Sequence, residues 1–154
     1  MKKMILFVIA VLLLCDTACA RQFDELVEKY SVENKADVIT VSNAMMKVAR
    51  LFVGGKEKNF FKMIDDMSIL SLKDCSTEVK EAFLEEIISI DPQGYEAALH
   101  TDKKGYKTRV FAKESGEKGV SYKMVVASVE NKGDVALMIM NGKFILSEVV
   151  KIFK

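Results

Sequence analysis

The sequence predicts an α+β domain: a two-layer sandwich whose largely antiparallel sheet ends in a C-terminal four-strand meander, with helices mainly on one face. Three observations predict it. Residues 95–101, 106–113, 121–129 and 134–141 form four consecutive runs that read as strands. The connections between them are short and polar and carry Gly105, Gly119 and Gly133; this is hairpin chemistry, since parallel pairing needs a longer crossover. Around the meander, apolar residues recur at helical spacing.

Residues 22–30 come first, an amphipathic helix with Phe23, Leu26, Val27 and Tyr30 at i, i+3, i+4 and i+7. A polar loop, 31–36, leads to a β-branched strand at Val38-Ile39-Thr40-Val41. Ser42 or Asn43 caps the next helix, whose expected core stripe is Met45, Val48, Ala49 and Phe52; Gly54-Gly55 ends it. Lys56-Glu57-Lys58-Asn59 reads as an exposed connection. Phe60, Phe61, Met63 and Ile64 suit a helix, and Met67, Ile69, Leu70 and Leu72 a strand, with Asp65-Asp66 as its polar start. Adjacent carboxylates on a strand point to opposite faces and do not readily share a metal.

Asp74-Cys75-Ser76 opens the longest helix, residues 77–90, with inner stripe Val79, Ala82, Phe83, Ile87 and Ile90. Asp91-Pro92-Gln93-Gly94 stops it. Within the meander, Met124–Ala127 is continuously apolar, so a second face is partly covered there. Lys107, Arg109, Lys113 and Lys123 are expected on the wetter sheet face. Met138 and Met140 share a face with Ala136, which becomes a partner-binding patch if uncovered. Asn141-Gly142 signals a turn; after it residues 143–146 either pair back as a short fifth strand or, the preferred reading, lead directly into a closing helix through Ser147, Glu148, Val149, Val150, Ile152 and Phe153.

Residues 1–20 read as a secretory signal. Lys2 and Lys3 precede an apolar run, Met4 to Cys15, too short to span a bilayer. Ala18 and Ala20 supply the small residues for cleavage between Ala20 and Arg21. Lipidation at Cys19 is the alternative, on a poor lipobox with Asp16 where an aliphatic residue is usual. The expected organisation is thus a leader, 1–20, and a single domain, 21–154. The rest of the chain carries 21 basic and 21 acidic residues once Lys2, Lys3 and Asp16 are set aside, so nothing favours nucleic acid or an anionic membrane. An apolar content of 50% is ample for a core.

No catalytic set is legible. His100 is the lone histidine and has no zinc-ligand spacing around it. Cys75 is the lone cysteine after the leader, so no intramolecular disulfide forms there. A Cys75/His100 pair is the one nucleophilic arrangement available. Gly54-Gly55-Lys56 follows a helix, whereas a phosphate loop precedes one. No cofactor, metal site or catalytic residue is therefore expected. The apolar side chains are expected to build one platform roofed by helices.

Phe23-Asp24 with Tyr30-Ser31, Val38 to Ser42 leading into Met45-Met46, and the terminal Asn141-Gly142-Lys143-Phe144 with its closing helix resemble the domain-of-unknown-function family DUF4252, over residues 21–154. The resemblance implies a small exported protein of the Gram-negative periplasm or envelope, with an α+β domain. It transfers no functional residue. The expected function is a non-enzymatic binding, regulatory or stress-related module with an envelope protein as partner, without a membrane span beyond the leader and anchored only if lipidated. The alternatives are a small-ligand carrier with a pocket between sheet and helices, or an enzyme using Cys75 and His100.

Overall fold

A computed structural model describes residues 22–92, 94–103, 106–130 and 133–153. Ala20, Arg21 and Cys19, with the whole expected leader, lie outside these residues. The elements are α1 (Gln22–Ser31), β1 (Asp37–Val41), α2 (Asn43–Phe52), α3 (Glu57–Met63), β2 (Ile64–Ser71), α4 (Thr77–Ser89), β3 (Glu96–Lys103), β4 (Tyr106–Glu114), β5 (Val120–Glu130), β6 (Val135–Ile145) and α5 (Leu146–Phe153). The strands form one sheet in the order β1-β2-β6-β5-β4-β3. Every pairing in it is antiparallel. The α+β class, the antiparallel sheet and the C-terminal meander are those the sequence predicts. Among the described residues, no helix is long and apolar enough to cross a membrane.

The meander is built by alternation. Val110 pairs with Val126, and Val126 with Met138, on one face; Phe111 pairs with Val125, and Val125 with Ile139, on the other. Gly133 closes the β5–β6 hairpin at φ 75°, donating its N–H to the Glu130 carbonyl at 2.8 Å.

The layering departs from helices mainly on one face. The sheet has a core on each side. On the first side, Phe23, Leu26 and Tyr30 of α1 and Phe83 and Ile87 of α4 pack on Leu70, Phe111, Val125, Leu137 and Ile139. On the second, Met46 of α2, Met63 of α3 and Val149 of α5 pack on Val110, Met124, Val126, Met140 and Phe144. The reason lies in β5 and β6, which are apolar on both faces; an uncovered second face would leave Met124, Val126, Met138 and Met140 in water. The Met138/Met140 face is accordingly roofed and is not a partner-binding patch.

Two local expectations are corrected. Asn141-Gly142 makes no turn: β6 runs through it, and Gly142 pairs with Ile64 of β2. A Cβ on Gly142 would collide with the Met63 carbonyl and crowd Asp65 N, so this glycine serves a close backbone approach where α3 joins β2. The closing helix follows as expected, starting directly after Ile145. The segment expected as an exposed connection at residues 56–59 instead starts α3 at Glu57.

Candidate interaction surface

The chemistry-bearing residues are kept apart. Cys75 precedes Ser76, whose side chain caps α4 by accepting from the Val79 N–H at 3.4 Å. The thiol is buried, and burial pushes its pKa up, the opposite of an activated thiolate. His100 is exposed on β3 opposite Arg109, in a cleft that Ile87 and Ile88 line from the far end of α4. The rise from Thr77 to Ile87 alone is about 15 Å, so Cys75 and His100 form no catalytic pair.

That cleft holds about 150 Å³ and is lined also by Asp102, Lys107, Ala127 and Val129. It is smaller than an ordinary ligand pocket. Arg109 has a task within it: its Nη1 donates to the Ile88 carbonyl at 3.3 Å, at the end of a helix whose last turn has no basic residue of its own. Lys107, Arg109, Lys113 and Lys123 do share one sheet face, but that face is not a bare solvated one, because α1 and α4 lie on it. Their long side chains reach round the helices. Lys123 thereby pairs with Asp24 of α1 at 3.3 Å, and the Lys113 ammonium lies 5.8 Å from the Tyr95 and Tyr122 ring centroids. Asp65 and Asp66 part as expected, Asp65 to Arg50 at 3.8 Å and Asp66 accepting from Asn141 Nδ2 at 2.7 Å. Among the described residues, no group of three or more His, Cys, Asp or Glu is placed to hold a metal ion.

The distinctive feature is the orientation of α2. Of its expected core stripe, Met45 is 55% exposed, Val48 57% and Phe52 84%, while Ala49 is half-buried; Leu51, outside that expected stripe, is 80% exposed beside them. Met46 alone is buried, at 0%. Arg50, a charged residue, turns inward. Its Nε donates to the Phe61 carbonyl at 3.0 Å and its Nη2 to the Ile64 carbonyl, with Asp65 alongside. Both carbonyls sit where α3 passes into β2, and the Phe61 carbonyl accepts from the Ile64 N–H as well. A planar guanidinium fork can reach two carbonyls at once. With Arg50 held there, α2 is turned so that its apolar stripe is left bare.

The helix that carries the bare stripe follows directly on a bare sheet edge in the chain. β1 ends at Val41, Ser42 caps α2 by accepting from the Met45 N–H at 3.4 Å, and β1 is an outermost strand. Its residues Asp37-Val38-Ile39-Thr40-Val41 pair with β2 without a bulge, and Val38 and Ile39 are exposed. The opposite edge differs. β3 carries Glu96, His100, Asp102 and Lys103 and has a register shift between Ala97 and Leu99. Charges and bulges discourage edge-to-edge pairing; β3 has them, whereas β1 has one charge, at its start. Sequence periodicity located Met45, Val48 and Phe52 of this stripe, without Leu51, but assigned them to the core, because a stripe carries no information about which way a helix is turned.

A family model described as "Domain of unknown function (DUF4252)" matches residues 30–152. No curated protein and no solved structure matches the chain.

Proposed function

The chain belongs to the DUF4252 family, and on that footing we propose that it is a non-enzymatic binding module of the Gram-negative cell envelope. It docks its partner on the outer stripe of α2 beside the free edge of β1. Export through the leader at residues 1–20 delivers it, with cleavage between Ala20 and Arg21; lipidation at Cys19 is the alternative, and the mass of the N-terminal peptide distinguishes them. The observation that carries this reading is the outward stripe Met45, Val48, Leu51 and Phe52. A soluble chain gains nothing from presenting four neighbouring large apolar residues to water unless something covers them. The placement of Cys75 and His100 at opposite ends of α4 supports a role without catalysis.

The test is a photoreactive residue at position 51, introduced in cells. A discrete crosslinked adduct in the envelope fraction is expected, and none from the same probe at exposed Glu81 on α4. Equal crosslinking from both positions, or none from either, contradicts the reading.

A further inference from the structure

We infer that the occupant of this surface is a second copy of the chain, paired edge to edge through β1 about a two-fold axis at Ile39. The inference rests on the docking role proposed for α2 and β1, and it names the partner. The antiparallel register centred on Ile39 is the one that pairs all five strand residues with the second copy. Asp37 then faces the partner's Val41, Val38 faces the partner's Thr40, and Ile39 faces its own counterpart. No like charges meet, and β-branched residues oppose one another. A single patch that satisfies itself under rotation is what an isologous interface requires.

Side-chain direction agrees with this. Ile39 and Val41 pair with Ile69 and Met67, on the sheet face where Met67 packs with Met46 of α2. Asp37, two residues from Ile39, projects to that same face. The two-fold keeps each residue on its own face, so the two α2 helices come to the same side of a continuous twelve-stranded sheet. Asp37 arrives beside the start of the partner's α2, a helix with no acidic residue in its first turn. A carboxylate there complements the positive end of the helix.

The area is appropriate. Met45, Val48, Leu51 and Phe52, with Val38 and Ile39, expose on the order of 600 Å² of apolar residue surface. An ordinary stable interface covers roughly 800 Å² per partner. The strand backbone and polar rim supply the difference.

The experiment is sedimentation of the full chain, as processed and purified from cells, over a range of concentrations. A dimer is expected. Ile39→Lys and Phe52→Asp, at exposed positions, should each weaken it by about thirtyfold or more with circular dichroism unchanged. Ile39→Cys should form a disulfide-linked dimer on mild oxidation that the parent chain does not, because opposed residues of antiparallel strands lie within disulfide reach. A wild-type chain monomeric at every concentration, or a dimer indifferent to both variants, overturns the inference. If it is monomeric while the probe at position 51 captures a different polypeptide, the second copy is wrong and the docking role stands. If the probe captures nothing, both fail.

Discussion

Arg50 and Phe61 face each other across the junction of two helices, the Arg50 Nε donating to the Phe61 carbonyl at 3.0 Å. This contact anchors α2 with its charged side inward and its apolar stripe in water. Arg50→Ala should therefore cost about 1.5–3 kcal/mol in urea unfolding, by removing two hydrogen bonds from a charged donor. Arg50→Lys should recover less than half, since an ammonium lacks the fork. Asp65→Asn should move stability by no more than about 0.5 kcal/mol, because that carboxylate is largely exposed.

Gly142 is required where the sequence suggests only a turn. Gly142→Ala drives a Cβ into the backbone of Met63, and roughly 2–4 kcal/mol of stability should be lost. Gly116→Ala, which meets nothing within 4 Å, should stay within about 0.5 kcal/mol of the parent. Thermal or urea unfolding of the two variants side by side makes the comparison.

The buried phenols separate hydrogen bonding from burial. The Tyr30 hydroxyl donates to Glu86 Oε1 at 2.9 Å, whereas the buried Tyr95 hydroxyl has no partner among the described residues. Tyr30→Phe should cost about 1 kcal/mol, and Tyr95→Phe should be neutral or stabilising. Burial is the first cause that pushes both phenols up to about 12. Their folded pKa lies above the unfolded one, so the stability tied to the neutral phenols is present below about pH 10 and is lost as pH rises towards 12. Alkaline unfolding followed by phenolate absorbance reads this directly.

Glu86 sets an acid limb of opposite sign. Hydrogen bonding from Lys29, and then from Tyr30, holds its carboxyl below the usual glutamate range. A depressed folded pKa gives stability that is present above the unfolded value, near 4.3, and is lost as pH falls through the folded one. Glu86→Gln should flatten that part of the stability–pH curve and shrink the Tyr30 share of the alkaline limb while leaving the Tyr95 share, measured by denaturant midpoints across the pH range.

Much of the fold is legible because its residues leave one option. The glycine-bearing turns and the alternation from Tyr106 onward admit only hairpins, and the Phe23, Leu26 and Tyr30 stripe has a single buried outcome. The two-sided core is half legible, since the apolar run Met124–Ala127 demands cover without saying which helices provide it. The orientation of α2 is not legible. It depends on carbonyls at the end of α3, a neighbour whose own start at Glu57 lies in a stretch that reads as loop. Gly142 misleads for a related reason: its missing side chain answers a strand crossing distant in sequence. The interaction surface is thus visible as a pattern and invisible as a surface until the tertiary hydrogen bonds of Arg50 are known.

The most direct test of the outward stripe uses two adjacent methionines of α2 in opposite environments. Met45 is exposed and Met46 buried. In the Phe52→Asp variant, which removes association, peroxide followed by peptide mass spectrometry should oxidise Met45 readily while Met46 stays protected until the chain unfolds. Protection of Met45 with oxidation of Met46 would place the stripe in the core and contradict the account.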